Sequence, residues 1–247
     1  MKKGPRLRLD QALVARGLAD SQTAAQALIL AGEVRLDGAR AGKAGQPVAS
    51  ESRIEVVGRQ QKYASRGGVK LEFALQDFSV DPAHKICLDL GSSTGGFTDC
   101  LLQHGAAKVF AVDVNTQQLA WKLQQDPRVI PVKRNARQLS PRDIPEPGAL
   151  ITADVSFISV CKILPPAMAC AAPRADFLVL IKPQFELRRA DIPEGGVVTD
   201  PRLHQKAIAA VEACAVQAGL QVLRVLPSRL AGAEGNQEFF LHARKPL

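Results

Sequence analysis

Cys87-Leu-Asp-Leu-Gly-Ser-Ser-Thr-Gly-Gly-Phe97 is the stretch whose reading decides the fold class of this chain. Apolar residues run up to an acid, a glycine-rich turn follows, and a helix begins. That order predicts a buried strand closing in Asp89, with backbone N–H groups and a helix N-terminus turned toward a ligand and little side-chain bulk in the way. A second apolar stretch, Lys108-Val-Phe-Ala-Val-Asp113, also ends in an acid. Roughly 20 residues beyond the glycines, a carboxylate in that place accepts both hydroxyls of a ribose. The pair predicts a site for a cofactor that contains a nucleoside.

The glycine spacing narrows the choice. A dinucleotide fingerprint, G-x-G-x-x-G, uses its second glycine to make room for a pyrophosphate. Here the glycines are Gly91, Gly95 and Gly96, with Ser92 or Ser93 where that second glycine would stand. Nothing is cleared for a diphosphate, which disfavours a nicotinamide dehydrogenase. The pattern D-x-G-x-x-x-G-G-F-T instead resembles motif I of S-adenosylmethionine-dependent methyltransferases, especially those acting on RNA ribose. That resemblance implies Asp89, Gly91, Ser92, Ser93, Gly95, Gly96 and Phe97 around the methionine half of the cofactor, and Asp113 at its ribose. Asn135, just past the third strand, is a candidate for the adenine or simply a loop-forming Asn. A tight turn with no ligand is the plainer alternative, but it does not account for two strands that both close in an acid.

The 247 residues suffice for one medium domain and a small one, and 46% hydrophobic content supports packed cores. No apolar run is long enough to span a bilayer, and the basic start lacks the apolar stretch of a signal peptide. Cys87, Cys100, Cys161, Cys170 and Cys214 are scattered without C-x-x-C pairs, so they read as small core residues in a reducing compartment, neither a metal site nor a disulfide frame. The cytoplasm is the expected location. Of the net charge of +8, most lies early: residues 1–66 carry 12 Lys and Arg against 6 Asp and Glu, the remainder 20 against 18. A basic module on a nearly neutral body suits a polyanionic partner, most simply nucleic acid. Solubility alone is the other reading of the charge.

Residues 6–31 carry two short helical patterns, Leu9, Leu13 and Val14 on one face and Ala24, Ala25, Leu28 and Ile29 on the next, with Gly17 ending the first and Ser21 capping the second. Gly32–Gly38 reads as a short strand and turn, and Arg53–Val57 alternates as another. The layout RLDxxLVxxGLxxSxxxAxxLIxxGxVxxDG resembles the S4 RNA-binding domain. The resemblance implies a basic face on structured RNA, for which Arg6, Arg8, Arg16, Arg35 and Arg66 are the candidates. Many members carry Arg directly after the serine, where this chain has Gln22. The expected division is 1–62 and 63–247, across a polar Gly-containing linker.

Beyond a helix carrying Val69, Leu71, Phe73, Ala74 and Leu75, strand-like runs near 85–90, 108–113, 128–133, 149–154 and 176–181 alternate with helical stretches. That rhythm predicts a parallel sheet covered on both faces. A helix near 202–218 and strands at 220–226 and 238–242 follow, and an antiparallel hairpin closing the sheet is expected. Ligands of such sheets bind at the carboxyl ends of the strands. Asp154 and Lys182 close the fourth and fifth, and on adjacent strands they would lie side by side.

Five signatures together, Ser65-Arg-Gly-Gly-Val-Lys70, Asp89–Thr98, Asp154-Val-Ser-Phe-Ile-Ser159, Lys182-Pro-Gln-Phe-Glu186 and Gly235-Asn-Gln-Glu238, resemble the TlyA family over essentially the whole chain. These are S4-domain, FtsJ-like ribosomal RNA 2′-O-methyltransferases, often labelled haemolysins. The resemblance implies an α/β fold, a Rossmann-like seven-stranded methyltransferase sheet with a small N-terminal α+β S4 domain. It also implies S-adenosylmethionine as cofactor, a cytidine in ribosomal RNA or ribosomal subunits as substrate, and a tetrad of Lys70, Asp154, Lys182 and Glu238. A ribose 2′-hydroxyl is a poor nucleophile until it begins to lose its proton. Neutral, Lys182 would be the base; charged, it would stabilise the forming alkoxide. Asp154 and Glu238 would orient the lysines, with Asp154 also a candidate contact for the cofactor amine. No metal is required. The competing expectations are a non-catalytic RNA-binding assembly factor, against which the intact tetrad speaks, and a membrane-lytic protein, for which no lytic helix is evident.

Overall fold

The computed structural model describes residues 7–19, 21–57, 62–232 and 234–247. The chain forms two compact units, Met1–Gln61 and Lys62–Leu247.

In the first unit β1 (Leu7–Arg8) leads into α1 (Leu9–Ala15), followed by α2 (Gln22–Leu30), β2 (Val34–Leu36), β3 (Ala39–Arg40), β4 (Pro47–Val48) and β5 (Ile54–Val56). β1 pairs with β4, and β3-β2-β5 form a small antiparallel sheet. Ser21 caps α2 by accepting the Ala24 N–H at 3.1 Å, while Gly17 takes the left-handed conformation (φ 68°) past the end of α1. Leu9, Leu13, Ala25, Ile29 and Val34 make the core. Buried among them, Asp10 accepts from Arg8, Gln22 and Gln26, and the Arg8 bonds above all hold its carboxyl well below the usual range.

The second unit runs α3 (Arg66–Phe78), β6 (Ile86–Leu90), α4 (Gly96–Gln103), β7 (Lys108–Asp113), α5 (Trp121–Gln124), β8 (Val129–Lys133), β9 (Gly148–Ala153), α6 (Leu164–Ala169), β10 (Ala171–Ile181), α7 (Pro183–Glu186), α8 (Pro201–Gln217), β11 (Gln221–Pro227) and β12 (Phe239–Arg244). The sheet order is β11-β12-β10-β9-β6-β7-β8, with β10-β9-β6-β7-β8 parallel. The last strand does not simply add an edge. It slots between β10 and β11, antiparallel to both, so the residue before it comes beside the end of β10.

Period-two alternation divides the core. Leu88, Leu90, Ile151, Phe177 and Val179 pack on the α6 and α8 side, whereas Cys87, Val109, Leu150, Leu178 and Leu180 pack under α3 and α4. Strand order reverses between β6 and β9, which places the ligand crevice at their carboxyl ends. One expectation is corrected here. Cys161 and Cys214 are joined by a disulfide, with Cα atoms 5.4 Å apart, because the turn Val160–Lys162 lies against α8. Cys87, Cys100 and Cys170 are buried free thiols, as small core residues should be.

Candidate active site at the carboxyl edge of the sheet

A cavity of about 610 Å³ opens at the switch between β6 and β9. Gly91 (φ 82°) and Ser93 form its glycine-turn wall, Asp113 and Val114 one flank, Asn135 to Arg137 another, and Asp154 to Ile158 the side toward β10. Gly91 must be glycine, since a Cβ there would stand 2.5 Å from the Asp154 carbonyl oxygen. Asp113 is fixed from three sides. Its carboxylate accepts the N–H of Ser93 at 3.0 Å, the N–H of Asn115 at 2.9 Å and the Gln118 amide at 3.2 Å. Asn135 turns its side-chain oxygen to the Arg137 N–H at 3.1 Å, so it caps its own turn while lining the cavity.

The other motif I residues lie elsewhere. Asp89 shares the strand face of Cys87 and points under α4, where it is fully buried and accepts from Thr98 at 2.6 Å and Thr152 at 3.2 Å. Burial, reinforced by nearby Asp154, pushes its carboxyl up to about 7 in spite of those hydroxyls. Phe97 is a core residue stacked on Phe240. Ser92 is buried with an unpartnered hydroxyl and does not line the cavity. Gly95 accommodates Leu123, and a Cβ at Gly96 would stand 3.0 Å from the Gly68 N. A Cβ at Gly68 would in turn stand 2.7 Å from the Gly96 carbonyl. The glycines of Ser65-Arg-Gly-Gly and Thr94-Gly-Gly thus let the starts of α3 and α4 touch backbone to backbone. That contact sets where α3 carries Lys70.

The four tetrad residues meet at this edge as two pairs. Lys182 Nζ lies 2.6 Å from Asp154 Oδ1 and donates to Ser156 Oγ at 2.8 Å. Lys70 Nζ donates to Glu238 Oε2 at 2.5 Å. Sheet register relates the pairs: Ile181 opposes Phe239, so Lys182 and Glu238 leave β10 and β12 as neighbours at the same end. Asp154 and Ser156 line the cavity, and Lys182 stands behind them. Ser156 and Phe157 were not singled out from sequence. Phe157 is 92% exposed with φ 63° and its ring lies 5.3 Å from that of Phe185. An aromatic three residues past the acid that follows β9 is the available signal for it.

Of the five arginines expected to meet RNA, Arg6 lies outside the described residues. Arg8 is spent on Asp10, and Arg16 donates to the carbonyls of Ala49, Ser50 and Ser52. Arg35 is exposed on β2, and Arg66 is exposed with a bond to the Ala231 carbonyl. Among the described residues there is no cluster able to hold a metal and no helix long and apolar enough to cross a membrane.

Comparison with known proteins agrees with this fold. The FtsJ-like methyltransferase model matches residues 63–245 and the S4 domain model residues 7–54. The 16S/23S rRNA (cytidine-2′-O)-methyltransferase TlyA of Mycobacterium tuberculosis is 45% identical over 97% of this chain and 90% of its own length. A structure from Streptococcus thermophilus described as a hemolysin superposes with a TM-score of 0.83 at 38% identity, over 98% of this chain and 89% of that one. An S-adenosylmethionine-dependent methyltransferase from Mesorhizobium loti shares the fold at 14% identity, with a TM-score of 0.55 over 72% of this chain and 99% of its own.

Proposed function

Since the chain belongs to the FtsJ-like methyltransferase family and carries an S4 domain, we propose that it methylates the ribose 2′-hydroxyl of a cytidine in ribosomal RNA. The observation that carries this reading is the Lys182–Asp154–Ser156 cluster set against a cavity at the switch point of the sheet. The cavity fits S-adenosylmethionine. Its volume falls within the ordinary range for small-ligand sites, the fixed Asp113 carboxylate suits a ribose diol, and Val114, Ala136 and Ile158 offer an apolar slot for adenine. When bound, that cofactor supplies an electrophilic methyl on sulfur.

The protein's own residues do the rest. Lys182 has three N–H bonds in its ammonium form. Ser156 accepts one of them and Asp154 is the counter-charge beside the ammonium, which leaves an N–H for the substrate O2′. Beside the Asp154 carboxylate we take the charged role: Lys182 stabilises negative charge on O2′ as the new C–O bond forms and the methyl–sulfur bond breaks, its electron pair staying on sulfur, and the hydroxyl proton leaves by way of the Asp154 carboxylate to water. Lys70 and Glu238, paired and buried, add no net charge and fix the neighbouring wall. Holding oxygen and methyl carbon in line at roughly 3–3.5 Å supplies much of the remaining acceleration. Phe157 presents an exposed ring on which the target base can stack. The S4 unit holds structured RNA, naked or within a ribosomal subunit, and the reaction takes place in the cytoplasm where ribosomes are.

The test is incubation of the protein with S-adenosylmethionine and either ribosomal RNA or intact subunits, followed by nucleoside mass spectrometry. 2′-O-methylcytidine is the expected product. Its absence from both substrates would reject the reading.

A further inference from the structure

Among the described residues of the loop that delivers Glu238, 228–232 and 234–238 between β11 and β12, there is no regular secondary structure, yet it carries a carboxylate whose side chain is only 3% exposed. A buried ion pair holds only if its geometry is enforced. The residue best placed to enforce it is Asn236, 1% exposed. Its Oδ1 accepts the Val198 N–H at 2.8 Å, its Nδ2 donates to the Gly196 carbonyl at 3.1 Å, and its own carbonyl accepts the Gly232 N–H at 2.8 Å. The last bond folds the loop back on itself, and Gly232 then closes on Glu238: a Cβ at 232 would stand 2.7 Å from Oε1. Glu238 is therefore wedged between Gly232 and Lys70.

The other end of the clamp matters as much. Gly196 and Val198 belong to the segment that follows Lys182 and α7 along the chain. Val198 is buried, and its carbonyl meets His204 Nε2 of α8 at 2.8 Å. His204 in turn packs edge-on against Phe239, the first residue of β12, with ring centroids 5.3 Å apart. One amide side chain thus ties the segment leaving the Lys182 strand to the loop bearing Glu238.

We propose that Asn236 is a positioning residue for methyl transfer, which sets Glu238, and through it Lys70, against the Lys182 side of the site. Both faces of the amide are needed. A carboxylate at this position keeps an acceptor for Val198 but has no donor for the Gly196 carbonyl. Alanine loses both and leaves the buried Val198 N–H and the half-buried Gly196 carbonyl without this partner.

This inference rests on the proposed methyl transfer, so wild-type activity is its control. The experiment measures single-turnover methylation of ribosomal RNA, S-adenosylmethionine affinity by calorimetry and thermal unfolding for Asn236→Ala, Asn236→Asp, Glu238→Ala and the double variant Asn236→Ala/Glu238→Ala. Asn236→Ala is expected to slow methyl transfer by about tenfold or more, with cofactor affinity within about twofold of wild type. Asn236→Asp is expected to lie between the two, and serves if Asn236→Ala does not fold. Added to Glu238→Ala, Asn236→Ala should cost less than about threefold further, because the two act on one interaction. Wild-type rates in both Asn236 variants would overturn the proposal. So would a full, additive loss in the double variant or an equal loss of cofactor affinity, since either marks general loop packing. An inactive wild type would instead reject the functional reading itself.

Discussion

Two lysine–carboxylate pairs stand at one edge of one sheet, and the fold treats them differently. Lys70 and Glu238 sit 2.5 Å apart with side chains 10% and 3% exposed; Lys182 and Asp154 sit 2.6 Å apart at 12% and 23%. The first pair is enclosed by helix α3 and the β11–β12 loop and does not line the cavity. The second opens on a cavity through its carboxylate and shares its ammonium with a hydroxyl. The contrast separates a pair the structure encloses from a pair it leaves open to a ligand. Lys70→Met should separate them most sharply. It strands the Glu238 carboxylate without its counter-charge, for a destabilisation of about 3–5 kcal/mol in denaturant titrations. A cost below about 1 kcal/mol would erase the distinction.

Lys182→Ala is the complementary change. Asp154 lines the cavity with its side chain 23% exposed, and truncating Lys182 opens its buried Oδ1 to that space, so stability should hold within about 1 kcal/mol, while single-turnover methylation falls about 10²–10³-fold, the loss expected for one donor to a developing oxyanion. Rapid-quench assays at saturating cofactor read the rate. A variant that unfolds as readily as Lys70→Met would show that both pairs are structural.

Two aspartates repeat the contrast on a smaller scale. Asp113 is held by three donors and faces the cavity, whereas Asp89 is sealed beneath α4 with its carboxyl raised to about 7 from an ordinary value near 3.8. Below both values the folded and unfolded chains each hold the proton. Between about 4 and about 7 only the folded chain holds it, so stability falls as pH rises through that window, by at most about 1.4 kcal/mol per pH unit. Above it the loss is complete. Asp89→Asn keeps an acceptor for Thr98 and Thr152 and cannot ionise. Its stability relative to wild type should therefore rise from pH 4 to pH 7, measured by urea unfolding at each pH. A flat difference would mean that Asp89 is ionised in the fold throughout.

These contrasts mark how far the sequence could be read. The strands, the parallel sheet and the acids at strand ends follow from local pattern, and Asp113, Gly91 and Asp154 stand at the cavity because a strand end is a strand end in any such sheet. Motif spacing said less about faces. Asp89 precedes the glycine turn by two residues, but alternation along β6 aims it at Thr98. Gly96 and Phe97 serve the packing of α3 on α4, a long-range contact that a motif quoted alone does not carry. The insertion of β12 beside β10 and the Cys161–Cys214 bond are likewise products of tertiary proximity, across 53 residues in the second case. Asn236 lay within a quoted motif, and only its partners on the 196–198 segment distinguish it from a turn residue.

The first unit carries the smallest version of the same contrast, and the most exposed to test. Arg16 is consumed by three backbone carbonyls of the 49–52 turn, whereas Arg35 stands exposed on β2 across from Arg40. If exposed charge is what meets RNA, Arg35→Ala should leave the melting temperature unchanged, weaken binding uniformly across RNA sequences and reduce the slope of log affinity against log salt by about one. Arg16→Ala should do the reverse, lowering the melting temperature while the salt slope stays near that of wild type, because its guanidinium N–H groups are already engaged by the carbonyls of the turn. Fluorescence anisotropy with a ribosomal RNA fragment between about 50 and 200 mM salt reads both slopes. An unchanged slope for Arg35→Ala alongside a reduced one for Arg16→Ala would place the RNA on the opposite face of the unit, over the 49–52 turn.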